Sequence, residues 1–181
     1  MPMASSPLPT AVRMPGRPRN SLGPLVLFHG CDKDVAEAVL SGQATLQPSE
    51  NDYDWLGNGI YFWVDSPERA LSWANLRRSS PSVIGAFAYP GNCLNLTDYG
   101  VMNELALAYE ATLGISAAAG TPLPVNSVRE NGQEAYDTVY GVFEEGELVY
   151  PGAGFRDRTH VQIAIRNPEM ILGYFRVDGM T

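Results

Sequence analysis

Three short stretches hold the residues able to do chemistry. They are His29-Gly30, the run Asp54-Trp55-Leu56-Gly57-Asn58-Gly59-Ile60-Tyr61-Phe62-Trp63, and a late segment carrying Gln162. In the middle run, Gly57 and Gly59 let the backbone turn tightly and let a ligand approach the main chain. Ile60 to Trp63 then runs as a short strand of β-branched and aromatic residues. Alternation puts Tyr61 and Trp63 on one face and Ile60 and Phe62 on the other. Taken alone, such a strand fits a buried hairpin just as well. Its place between a strand ending in His29-Gly30 and a later strand with Gln162 points to three strands meeting around one small molecule. His29 has no partner at metal-ligand spacing, so no metal site is expected; its structural alternative is a capped core histidine. Cys31 beside it reads as a buried free thiol rather than a nucleophile.

The elements that must position these residues follow from local pattern. Leu25 to Gly30 is a short apolar strand. Asp32 is placed to cap a helix with Val35, Ala36, Val39 and Leu40 on one side and Gly42 at its end. Residues 47–58 are polar and read as a loop. Ser66-Pro67-Glu68-Arg69 opens a second helix, with Ser as N-cap and Pro at the first position. Ala70, Leu71, Trp73 and Ala74 give that helix an apolar face. Val83 to Ala88 reads as a buried strand, and Cys93 to Leu96 as another after a Pro90-Gly91 turn. Asp98 caps a helix through about Leu113. Residues 114–132 read as a long loop, which is uncommon unless functional. Tyr136 to Phe143 fits strand or helix, and Glu144-Glu145-Gly146-Glu147 is an acidic turn. His160 to Ile165 alternates as a strand; Pro168 turns the chain into a last strand, Tyr174 to Val177. The sum is an α+β fold of strands around two or three helices, with no internal repeat.

Bulk properties bound the partners. At 181 residues the chain suits one domain, residues 24–181, behind a basic, Pro-rich and disordered arm at 1–23. Arg13, Arg17 and Arg19 make that arm a contact segment or a solvated tail. No apolar run approaches a membrane span, and no secretory signal is visible, so a cytoplasmic protein without a membrane partner is expected. Delivery into a target cell is a further option. Cys31 and Cys93 are the only cysteines and make no disulfide framework. Net charge is −8, which argues against broad, non-specific nucleic-acid binding.

Read together, His29-Gly30, Gly57-Asn58-Gly59-Ile60-Tyr61-Phe62 and the Gln162 strand resemble the ADP-ribosyltransferase superfamily. The resemblance is to its diphtheria-toxin-like branch, which includes the poly(ADP-ribose) polymerases. That branch carries a His near the end of its first strand, a Tyr in a Gly-x-Gly-x-Tyr-Phe strand and a Glu, sometimes Asp or Gln, on a later strand. Gln162-Ile163-Ala164-Ile165-Arg166-Asn167-Pro168, followed by Ile171 and Tyr174, is similar to its closing strand, Pro turn and Ile-x-x-x-Tyr ending. The resemblance spans roughly residues 25–177 with long gaps. It implies a split antiparallel sheet with flanking helices, and NAD as co-substrate without a metal. The catalytic set it implies is Gln162, His29 and Tyr61. The NAD-binding set is His29, Gly30, Gly59, Tyr61, Ser72 and Trp73. In that scheme the Gly30 backbone pairs with the nicotinamide carboxamide, and His29 bonds the adenosine-side ribose. Tyr61 and Trp73 sandwich the pyridine ring, and Gln162 accepts from the nicotinamide-ribose hydroxyl. Trp73 beside Leu71 and Ala74 also fits a plain core residue.

The departure is Gln162 where Glu is usual. Gln keeps the hydrogen bond but loses the charge facing an oxocarbenium-like transition state. Removing one preorganised polar group typically costs about 10²–10³ in rate. The acidic turn at 144–147 is the nearest source of a replacement charge, or simply a solvated turn. Elongation of an ADP-ribose chain is therefore not expected. The expectation is a mono-ADP-ribosyltransferase acting on a macromolecular acceptor, protein or nucleic acid, with the acidic bulk leaning slightly to protein. By analogy it is a bacterial toxin–antitoxin or phage-related effector with an inhibitory antitoxin partner. The alternatives are a non-catalytic NAD- or ADP-ribose-binding module and an NAD glycohydrolase.

Overall fold

The structure is a computed structural model and describes residues 22–49, 51, 54–119 and 136–180. All but the last two positions of the expected arm, and residues 120–132 of the expected loop, lie outside the described residues. Among the described residues, seven strands and three helices follow one another along the chain. They are β1 (Leu25–Asp32), α1 (Lys33–Leu40), β2 (Ile60–Val64), α2 (Pro67–Arg77), β3 (Pro81–Ala88), β4 (Cys93–Asn95), α3 (Tyr99–Ala119), β5 (Thr138–Phe143), β6 (His160–Ile165) and β7 (Ile171–Arg176). A 3-10 turn at Pro168–Met170 leads into β7, with the Asn167 side chain accepting from the Glu169 N–H. The strands form one sheet in the order β4-β5-β6-β2-β1-β3-β7. The α+β class holds; the pairings among β5, β6, β2, β1, β3 and β7 are antiparallel, and β4 runs parallel to β5, so the sheet as a whole is mixed. A parallel neighbour needs a crossover, and α3 lies within that connection.

Each face of the sheet has its own core. Leu27 and Cys31 of β1, Ile60 and Phe62 of β2, Ile84 and Ala86 of β3, and Ile163 and Ile165 of β6 pack with Ala36 and Val39 of α1. The alternate residues Phe28, Trp63 and Val83 pack on the other face with Ala70 of α2. Leu56, Val139 and Ala164 extend that second face toward β5. Period-two alternation thus sorts the strand residues as the sequence implies.

Helix ends differ in part from expectation. Asp98 accepts from Gly100 N at 2.8 Å and Val101 N at 3.1 Å, a side-chain cap for α3. Asp32 does not cap α1; its carboxylate accepts instead from Ser80 N (2.9 Å) and Ser79 Oγ (3.2 Å), tying the end of β1 to the start of β3. Ser66 likewise gives α2 no side-chain cap, while Pro67 takes the first position as expected. Gly42 closes α1 at φ +73°, with Gln43 N reaching back to Ala38 O at 2.8 Å. Helix α3 runs six residues past the expected end at Leu113, to Ala119. Gly114 reads as a breaker, yet the alanines after it are the strongest helix formers.

Candidate functional site

Strands β6, β2 and β1 lie side by side at the centre of the sheet. Phe28 stands opposite Trp63, Trp63 opposite Gln162, and Tyr61 opposite Ala164. Directly opposed residues share a face. Gly30, Tyr61, Trp63, Gln162 and His160 therefore belong to the α2 side, and His29 belongs to the α1 side.

Strands β1 and β2 pair at only two positions, Leu27 with Val64 and Phe28 with Trp63, before they separate. Val26 O also accepts from Asp65 N at 3.2 Å. Residues 26 and 28 aim their backbone groups at β2, so by parity Gly30 does too. On its other side Gly30 faces Val83, whose N–H is given to Met180 O at 2.9 Å. The polar backbone of Gly30 thus points into the gap where β1 and β2 diverge. A Cβ at Gly30 would lie 2.5 Å from Ala70 O and 3.3 Å from Trp73 Cε3. Only glycine lets α2 pack this close.

His29 bridges the same gap. Its Nδ1 lies 2.8 Å from Tyr61 O. A carbonyl only accepts, so Nδ1 carries the proton, and Nε2 is an acceptor in the neutral ring. The ring packs near Phe62 at 5.6 Å, and burial lowers its pKa below 6.5.

Tyr61 turns toward the loop before its strand. Its hydroxyl donates to Gly57 O (2.8 Å) and accepts from Leu56 N (3.0 Å). Asp54, buried, braces that loop by accepting from Ser49 Oγ (2.6 Å) and Asn51 N (2.7 Å). Gly57 sits at φ +79°, with Arg166 packed where a Cβ would be. Gly59 bridges to Ser49 and approaches Ile165 O so closely that a Cβ would meet it at 3.0 Å. Packing on β6 accounts for this glycine.

Gln162 sits at the centre of a polar and aromatic cluster. Its Nε2 lies 3.0 Å from His160 Nε2, and His160 Nδ1 lies 2.7 Å from Arg158 O. The carbonyl accepts a hydrogen bond from Nδ1–H, so Nε2 of the neutral ring accepts from the Gln162 amide nitrogen. Oε1 of Gln162 is left without a hydrogen bond among the described residues. His160 is 7% exposed, stacks on Phe143 at 5.7 Å and lies 6.3 Å from Trp63. Burial depresses its pKa; Arg69 pushes the same way and Glu145 the opposite way. Arg69 holds Glu145 in an ion pair and lies over the Trp63 ring at 5.8 Å. Trp63 Nε1 and Arg69 Nε are buried without an acceptor among the described residues.

Comparison with known proteins assigns no family. No protein-family model and no solved structure matches the chain. A stretch of 41 residues is 42% identical to the uncharacterized protein MJ0359 of Methanocaldococcus jannaschii. That stretch is 23% of this chain and spans only 19% of that protein.

The predicted residues are gathered unevenly. His29 and Tyr61 are joined through the backbone, and Gln162 stands one strand away on the Tyr61 face. Trp73 lies beside Gly30, and its ring packs near Trp63 at 5.6 Å. Tyr61 and Trp73 pack against different core clusters on the α2 face. Ser72 is exposed on the side of α2 away from Ala70 and Ala74, lining a surface concavity with Glu68, Asn75 and Leu76. The helix turn places it there, since a residue two on from Ala70 faces the opposite way. Among the described residues, no group of three or more His, Cys, Asp or Glu is placed to hold a metal. Sequence reasoning missed His160, Arg69 and the pairing of Glu145. His160 left a signal: two residues before Gln162 on a strand, it must share its face.

Proposed function

We propose that the chain is a mono-ADP-ribosyltransferase that takes ADP-ribose from NAD and places it on a macromolecular acceptor. The observation that carries the reading is the adjacency of β6, β2 and β1, with the backbone of Gly30 aimed into the gap between two of them. The residues present fit the co-substrate. Gly30 offers an N–H and a C=O together, the complement of a carboxamide. Neutral His29 offers Nε2 to a ribose hydroxyl. Gln162 offers Oε1 as a second acceptor, on a residue locked by its other end. NAD supplies a glycosidic bond whose cleavage builds oxocarbenium-like charge on the ribose. The chain's part is to hold the two ends rigidly and present fixed dipoles where that charge grows.

A neutral amide at position 162 also favours a second reading, a non-catalytic NAD-binding module. Labelled NAD with cell extract separates them. Transferase activity puts label on a macromolecule, removed by protease or by nuclease according to the acceptor. Nicotinamide release without labelling identifies a hydrolase. A melting shift with NAD and no nicotinamide identifies the binding module. The further reading, an intracellular toxin held by an antitoxin, rests on analogy; growth arrest on expression, relieved by Gln162→Ala, tests it.

A further inference from the structure

We propose that His160 is a positioning residue: it holds the Gln162 amide with its oxygen toward the ligand, and so ties turnover to the protonation of one imidazole. This deepens the NAD reading and rests on it. The geometry allows one assignment. Arg158 O accepts a hydrogen bond from Nδ1–H at 2.7 Å, so Nε2 of the neutral ring has only a lone pair to offer. A group 3.0 Å from that lone pair must be a donor, which selects the NH2 end of the Gln162 amide. The oxygen then faces away from His160. An unrestrained glutamine presents either end, and an NH2 group in that place faces growing positive charge with the wrong dipole. The ring is fixed in turn by Phe143 of β5 and Trp63 of β2.

Protonation reverses the arrangement. Nε2 gains a proton and becomes a donor, so the amide turns its oxygen toward His160 and its NH2 toward the ligand. The charged groups facing the imidazole are Arg69 from α2 and Glu145 from the segment after β5, and they are paired with each other. Their effects oppose; the Arg158 carbonyl on Nδ1 favours the charged ring, and burial among Trp63 and Phe143 outweighs it. Burial favours the neutral ring, which keeps the oxygen outward near neutral pH.

The test reads kcat for nicotinamide release at saturating NAD against pH, in the full chain. Burial also lowers the His29 pKa, so the acid limb is assigned to His160 by its loss in His160→Gln and not by kcat alone. The unaltered chain is expected to lose kcat on the acid side, with a midpoint below 6.5. His160→Gln keeps an acceptor that cannot titrate; it should hold kcat within severalfold and flatten the acid limb. His160→Phe keeps the ring packing and removes the acceptor; kcat should fall about ten- to a hundredfold with KM little changed. An acid limb retained in His160→Gln, or full kcat in a folded His160→Phe, overturns the proposal. If His160→Phe does not fold, His160→Gln decides alone. If the unaltered chain releases no nicotinamide and binds no NAD, the NAD reading fails and takes the link to turnover with it. The pairing itself is then read by NMR: the Gln162 side-chain amide must follow the His160 titration, and an amide that ignores it rejects the pairing too.

Discussion

Tyr61 anchors its loop with a hydroxyl that both gives and takes a hydrogen bond. Tyr61→Phe leaves Leu56 N–H and Gly57 C=O without that partner and should cost about 1–3 kcal/mol of stability, read by urea denaturation. An unchanged midpoint rejects the anchoring role. Gln162→Ala should lower kcat for nicotinamide release far more than it weakens NAD binding; equal damage to both removes Gln162 from the transition state. The histidines set a pH dependence of stability. Both His29 and His160 have folded pKa values lowered by burial from 6.5. Below 6.5 the unfolded chain binds protons that the folded chain refuses. Their contribution is complete above 6.5 and is lost as pH falls toward the folded values. The urea midpoint should drop between pH 7 and pH 5, and drop less in His160→Gln. At this scale the sequence is legible where parity suffices, as for Tyr61 and Trp63 on one face. The reach of Arg69 to Glu145 depends on how α2 lies across the sheet, which no local pattern encodes.

Helix α2 lies against the sheet where Gly30 has no side chain. Gly30→Ala puts a methyl group 2.5 Å from Ala70 O, which is backbone and yields only if α2 shifts. The expected cost is about 1–3 kcal/mol of overpacking, measured by denaturation, with altered near-UV signal from Trp63 and Trp73 beside the displaced helix. Most strands were legible because one face is apolar and the period is two. Strand β5 was ambiguous because it lies between β4 and β6 with Thr138 and Val139 buried on opposite faces, which erases alternation. The parallel β4–β5 pairing was invisible, since partner and direction are set by tertiary contacts. Caps failed at Asp32 because Ser79 and Ser80, far along the chain, compete for the same carboxylate.

Over the whole molecule, a ligand seated between central strands should stabilise everything around it. NAD at a hundred times its dissociation constant should add about 2.7 kcal/mol, a rise in melting temperature of several degrees. No rise at millimolar NAD rejects the NAD reading. Among the described residues no helix is long and apolar enough to cross a membrane. The pairing of β2 with β6 spans most of the domain's length, and Trp63 meets Gln162 only across it. Long-range pairing of this kind is slow, because the intervening chain must be ordered first. On the ribosome, a growing polypeptide therefore exhibits Gly30 and Tyr61 well before position 162 has been translated. Synthesis of the first two strands and completion of the three-strand neighbourhood become separate moments.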